Sequence, residues 1–482
     1  TISPALFAKH PDTTLEFTMN ARLRHLVAIP CIVAMPAMAS ENVEFYADVM
    51  PLIAANCITC HADEGVSFSF EDPDDAYRMR HAIASAVAED RMPPWLAESG
   101  HQEYVGDYSL TEEEKSLIAA WAGAEFPKGE ATASRFTSPE ILDFDADVSF
   151  SIIPDGEYLP NQERKDDYRC FVIDWPYEED MYVTGFMATP GNQRVSHHLV
   201  NFVIGPEAAD ILKTISEEED GQGHQCFGGP IPDSLGSKEA QAALEVRFPG
   251  AMDTLYQNNF WLSHWAPGMY GEEFPADTGI LVRPGSVIVV QMHYYSAFAP
   301  GEADADTSMH FKLAKQVNKP SVNLPLTNYR WLVSNRNETM TIPPGETATY
   351  EVSEGFDRVA GFAARALRIP PDQIAALELR SANVHMHSYG ASGSASLLHA
   401  SGEKETLLNI PRWDLDWQRD FLFEESKIIP KGDFERARLV VECTYANYSE
   451  KTVFGGYGSD DEMCFNFSYV SVIREGASVA TN

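Results

Sequence analysis

The apolar positions change rhythm part-way along the chain. Between about residue 41 and residue 130 they fall at helical spacing. Asp74 to Asp90 carries such a pattern, and Thr111-Glu112-Glu113-Glu114 is a capping box that opens a helix through Trp121. After Pro127-Lys128-Gly129 the texture shifts. From about 145 onward, short β-branched and aromatic runs are punctuated by Gly, Pro, Asn and Asp: Arg169–Asp174, His198–Ile204, Ser286–Tyr295, Thr347–Val352, Leu439–Tyr445 and Phe465–Ile473. Short strands at frequent turns predict antiparallel sandwiches, and the region is too long for one. The expected fold is multidomain. A small all-α domain (41–130) precedes two all-β, jelly-roll-like sandwiches (145–315 and 322–475), with Gln316 to Pro325 as the linker between them. The acidic run Glu217 to Asp220, with Gly221 and Gly223, reads as a loop.

Composition narrows the partners. The 482 residues are 44% hydrophobic and 11% aromatic, as a packed protein should be, but 35 basic residues face 72 acidic ones for a formal charge of −37. Such a surface repels nucleic acid and anionic lipid heads, so neither is an expected partner. From Met19 the chain reads MNARLRHLVAIPCIVAMPAMAS: Arg22 and Arg24, a short apolar stretch, then Ala37-Met38-Ala39. Residues 1–40 are therefore expected to be upstream residues and a signal peptide, and the protein to be exported, periplasmic or extracellular, without stable membrane insertion. Of seven cysteines, Cys31 leaves with the signal and Cys57 and Cys60 belong to a motif. Cys170, Cys226, Cys443 and Cys464 remain, enough for two disulfides in one of three pairings.

The motif is Cys57-Ile58-Thr59-Cys60-His61. In C-x-x-C-H the two thiols can bond covalently to haem vinyl groups while the imidazole takes an axial iron position. A thioredoxin-like redox pair is the rival, and the helical surroundings and absent βαβ pattern weigh against it. Met92, in Arg91-Met92-Pro93-Pro94-Trp95, is placed to be the second axial ligand, as in small cytochrome c domains, which this setting resembles. His81 and His101 compete for that position and read as surface residues.

Five of the fourteen histidines form three groups: His197 and His198 in VSHHLV, His293 in VVQMHYY, and His385 and His387 in VHMHSYG. Alternate residues of a strand share a face, so His385 and His387 can chelate one metal while Met386 points away. Adjacent His197 and His198 can share a metal only at a bulge or strand end, with His293 completing three imidazoles. The His385/His387 pair lacks a third donor, and a thioether suits Cu(I). Taken singly, each group is as readily structural, and a lone Met463 reads as core. His224, His264, His310 and His399 fit no metal pattern and read as structural.

In order and flanking residues these groups, with Met463 in SDDEMCFNFSYV, strongly resemble the copper type II ascorbate-dependent monooxygenases over roughly 145–475. The resemblance implies that His197, His198 and His293 hold an electron-transfer copper. It implies that His385, His387 and Met463 hold an oxygen-activating copper across a cleft, with Cys170 paired to Cys226 and Cys443 to Cys464. It puts Gln291 near the substrate path; a polar residue on a strand face is the bland alternative. Where the peptide-amidating branch anchors a carboxylate with arginine and tyrosine, this chain has Asn383 and Phe467, which predicts a neutral or apolar cleft. The implied activity is hydroxylation of a C–H bond of a small molecule with O2. The cofactors are two copper ions and one c-type haem that replaces or relays the reductant, a redox protein or ascorbate. The rival from another class is an electron-transfer or copper-handling protein, which has no need of Met463.

Overall fold

The computed structural model describes residues 43–476 except 59, 63–67, 124–127, 137–143, 154–155, 267–268, 270, 298, 333–338 and 459. The expected signal peptide lies outside the described residues, as does Thr59 of the C-x-x-C-H motif.

The first part is helical: a π-turn Phe45–Val49, then helices Met50–Asn56, Pro73–Arg78, Arg80–Ala88 and Glu112–Gly123. The capping box forms, with the Thr111 N–H donating to Glu114 Oε2 (2.8 Å) and the Glu114 N–H to Thr111 Oγ1 (3.2 Å). These helices bury one apolar cluster in which Phe45 stacks on Trp121 (5.4 Å between centroids).

The remainder is mostly β-sheet. A nine-stranded sheet runs, in spatial order, through Val148–Ser151, Ser308–Ala314, Met181–Thr189, Thr278–Val282, Lys319–Leu326, Asn466–Arg474, Ile374–Ala382 and Phe421–Pro430, with Glu272–Glu273 beside Met181–Thr189. A five-stranded sheet faces its first half (His224–Gln225, Asp166–Asp174, Val287–Tyr295, Ser196–Ile204, Asn259–Trp265). A four-stranded sheet faces its second half (Thr347–Gly355, Arg438–Ala446, Gly390–Leu398, Lys404–Ile410). Each pair encloses its own core, one around Phe171, Leu199, Ile288 and Phe311, the other around Leu377, Leu397, Val441 and Val472.

The expected linker is a correction. Lys319–Leu326 is a central strand, parallel to Thr278–Val282 at one end (Ser321 beside Ile280) and antiparallel to Asn466–Arg474 along its length (Val322 beside Val470). Its prolines look like breakers in sequence. The burial of Pro320, Val322, Leu324 and Leu326 fixes the segment in the sheet all the same. The strand thus joins the two sandwiches in one sheet.

Helices inside the β region were not foreseen. Pro206–Glu217, Lys238–Arg247 and Ala251–Gln257 cover the outer face of the five-stranded sheet and bury Val200, Phe202, Val287 and Val289 against Ala208, Leu212 and Leu255. That sheet is therefore dry on both faces, which is why Val287–Tyr295 reads as a continuous apolar run. Phe356–Leu367 packs likewise on the second core.

The helical part is fastened to the second sandwich. Tyr104 bridges to Phe423, the Val105 N–H donates to Leu422 O (2.8 Å), the Glu424 N–H to Glu103 O (2.9 Å) and the Tyr104 hydroxyl to Leu407 O (2.8 Å). Trp95 and Tyr104 both meet the Phe421 ring edge-on.

Candidate metal centres facing one cavity

His198 pairs with His293 across neighbouring strands, and the next ladder pair is Ser196 with Tyr294. His197 is left over as a bulge, and an unpaired residue re-aims its side chain. The result is a triangle of imidazole nitrogens: His197 Nδ1 lies 3.1 Å from His198 Nδ1 and 3.2 Å from His293 Nδ1, and His293 Nδ1 lies 3.4 Å from His198 Nδ1. Three nitrogens each about 2.0 Å from one ion would sit at about this spacing. The His293 Nε2 donates to Asp166 Oδ1 (2.9 Å), so its Nδ1 carries the free lone pair; Tyr168 stacks on the same ring at 4.1 Å. Burial, then the neighbouring His293, holds the His197 imidazole down at about 4, and the same causes hold His198 well below its usual value. Both rings are thus neutral at physiological pH, as ligation requires.

His385 and His387 do not lie in a strand, contrary to expectation. They occupy the extended segment after Ile374–Ala382, where His385 makes an isolated backbone bridge to Phe465. The buried Glu462 carboxylate takes up the neighbouring backbone, accepting from the N–H groups of His387 (2.9 Å) and Tyr389 (2.6 Å). Burial raises that carboxyl to about 7 against these same bonds. The two rings stand at 88° with centroids 5.4 Å apart. His387 Nδ1 donates to Asp461 O (2.9 Å) and His385 Nδ1 to Gln418 Oε1, which leaves both Nε2 lone pairs free. Burial, then His387, holds the His385 imidazole at about 3.

The bridge to Phe465 brings the 463–465 segment alongside the pair. Met463 is nearly buried, its carbonyl accepts from the Tyr445 hydroxyl (2.8 Å), and its neighbour Cys464 is bonded to Cys443. The other disulfide joins Cys170 and Cys226, and Gln291 lies against it with Nε2 3.1 Å from Gly229 O. His224 sits beside these two sulfurs but is held by Ser216 Oγ (2.8 Å) and Pro230 O (3.0 Å), and bonded cysteines offer no thiolate to a metal.

One continuous cavity of about 3050 Å³ is lined by His197 and His198 on one side and by His385, His387 and Met463 on the other. Gln291, Asn383 and Phe467 line it too. Phe467 stacks on Phe465 (5.5 Å, 10°) and packs on Trp261 (4.2 Å), so that part of the wall is apolar. The cavity also holds residues the sequence did not mark: Glu272, Gln418, Arg419 and Asp420, together with His264, which reads as structural from sequence. Burial raises Glu272 to about 7 and raises Asp420 as well. In sequence both are ordinary surface acids.

The same cavity reaches Cys57, Cys60, His61 and Met92. The two thiols are not bonded to each other, and burial pushes the Cys57 thiol up to about 12. His61 is buried between Phe68 and Phe70, and its Nδ1 donates to Phe68 O (2.9 Å), leaving Nε2 free.

Comparison with known proteins bears on this arrangement. Residues 332–473 match the family profile "Copper type II ascorbate-dependent monooxygenase, C-terminal domain". The similarity is to the C-terminal domain of that family and covers 142 of the 482 residues. The matched stretch spans His385, His387 and Met463. A curated relative, MOXD1 homolog 1 of Drosophila melanogaster, is 24% identical over 212 residues, which takes in 42% of this chain and 27% of the relative's length. The chain thus spans about a quarter of that relative. Members of the family use O2 and a reductant such as ascorbate. Two solved structures, titled "Structure of PNGF-II in P21 space group" (10% identity, 67% of this chain and 65% of that one, TM-score 0.26) and "Recombinant peptide: N-glycanase F (PNGase F)" (7%, 69% and 97%, 0.28), are too distant to inform fold or function. No helix among the described residues is long and apolar enough to cross a membrane, and two disulfides suit an oxidising compartment.

Proposed function

We propose that this chain hydroxylates a C–H bond of a small organic substrate with O2, using two copper ions, and that a c-type haem on its helical part supplies electrons. The observation that carries the reading is the shared cavity: residues of two separate imidazole groups, together with Met463, line the same space. An electron carrier needs neither a second site nor room for a substrate.

The residues present fit both cofactors. His197, His198 and His293 would hold one copper through Nδ1, with Asp166 fixing the His293 tautomer. His385 and His387 would hold the other through Nε2, because Gln418 and Asp461 engage their Nδ1 atoms, and Met463 would add the soft donor that favours Cu(I). Cys57 and Cys60 would take the haem covalently, and His61, through Nε2, and Met92 would hold its iron. When bound, copper supplies one-electron chemistry with O2 and the haem supplies a store of electrons.

The protein's own part is binding and exclusion. Phe465, Phe467 and Trp261 give an apolar wall that desolvates a substrate beside His385. Asn383, its amide oxygen accepting from the Phe467 N–H (3.3 Å), offers no cation to a carboxylate at its own place in the wall. The chain is proposed to work outside the cytoplasm, in the periplasm or beyond the cell. Metal analysis tests the reading directly. Two coppers and one haem iron per chain are expected, and the reduced protein given O2 should hydroxylate members of a panel of small neutral compounds. One copper per chain, or O2 consumption with no product across the panel, would overturn it.

A further inference from the structure

Among the described residues lining the cavity, the one arginine or lysine that the helical part itself brings is Arg91. Haem carries two propionate carboxylates, and an Arg fork is the side chain suited to such a group. Of the arginines near Cys57 and Cys60, Arg91 already pairs with Glu89 (2.8 Å). Arg419, which belongs to the second sandwich, lines the same cavity and has no ion pair among the described residues. Its Nε is buried without a hydrogen-bond partner, and a buried, unmade donor is costly to keep. Its guanidinium lies over two rings of the helical part, Tyr108 (4.9 Å) and Trp95 (5.0 Å). Arg419 lines the same cavity as Cys57, Cys60 and His61, so the fork faces the space that the haem-attachment motif faces. Glu272 and Asp420 feel the same charge without pairing with it.

We infer that the oxygenase part of the chain completes the haem site: Arg419 donates to a haem propionate across the boundary between the helical part and the second sandwich. The inference rests on the haem reading above. Its partner is the carboxylate of a covalently held porphyrin. Arg419 is thus a positioning residue. Because Gln418, one residue earlier, bonds to His385, the same short segment would hold the haem edge and orient a copper ligand.

A positive charge beside the porphyrin favours the ferrous state, since it offsets the propionate. Removing it in the full-length, haem-loaded chain as Arg419→Gln should shift the one-electron reduction equilibrium about tenfold towards ferric haem, a midpoint about 59 mV lower. Arg419→Met keeps the stem packed on Trp95 and Tyr108, loses the charge and should give the same shift, so it serves if the glutamine variant does not fold. Arg419→Lys should recover most of the potential. Arg412→Gln, which loses a contact to the Glu89 and Asp90 carbonyls that fastens the helical part, should leave the potential unchanged. Redox titration of the haem spectrum reads all four without reference to turnover. A wild-type potential in both charge-removing variants, or an equal shift in Arg412→Gln, overturns the role of Arg419 while leaving the haem intact. Absence of covalent haem from the wild-type chain overturns the haem reading itself.

Discussion

His293 places its Nε2 2.9 Å from the carboxylate of Asp166 and turns its Nδ1 towards His197 and His198. The carboxylate decides which nitrogen of the ring is free, and so which atom can meet a metal. Outer partners of this kind are worth about 10–100-fold in metal affinity. Asp166→Asn should therefore weaken copper at the three-histidine site by about that factor, read by competition with a chelator, and leave copper at the other pair unchanged.

Met463→Ile removes the thioether while keeping a buried apolar side chain. Hydroxylation should fall below detection, the copper content at His197, His198 and His293 should hold, and the haem spectrum should match wild type. Substrate hydroxylated at an undiminished rate would argue that the sulfur is only packing.

The Cys443–Cys464 bond closes a separation of 21 residues and ends beside Met463. Replacing both cysteines by alanine should cost about 3 kcal/mol of stability by the loop-entropy estimate. It should also loosen the segment that carries the thioether, so copper at His385 and His387 should bind less tightly. Chemical denaturation together with copper titration checks both effects.

Glu272 faces the cavity, and burial raises its carboxyl from 4.5 to about 7. The folded state therefore holds this proton more tightly than the unfolded chain. The contribution to stability is complete below pH 4.5 and is lost as pH rises through 7. Glu272→Gln should be neutral in effect near pH 4 and stabilise the chain by up to about 3 kcal/mol at pH 8. Urea unfolding at the two pH values reads the difference.

Much of this was legible in the residues. The change from helical to strand-like spacing located the helical part, and the capping box marked its last helix. Six strand expectations correspond to observed strands, because short β-branched runs bounded by turn residues leave few alternatives. Adjacent histidines that share a metal call for a bulge or a strand end, and the register slips at His197. Other features were not legible. Prolines hid the strand at 319–326, since local breaker chemistry says nothing about the neighbours that hold a segment in a sheet. The covering helices around 206–257 sit between β-rich runs that dominate the local pattern, though Pro206 at the first turn of one is a readable start signal. Glu272, Arg419 and Asp420 gain their significance from enclosure alone, which no local pattern encodes.

The strand Lys319–Leu326 has neighbours from both halves, with Thr278–Val282 on one side and Asn466–Arg474 on the other. A hinge that brought the two histidine groups together would have to shear this ladder and strand its amides without partners. The gap between the groups is therefore held like the span of a rigid bridge. On the proposed function, a substrate has to fit that span, and traffic in and out has to rely on side chains and loops at the rim.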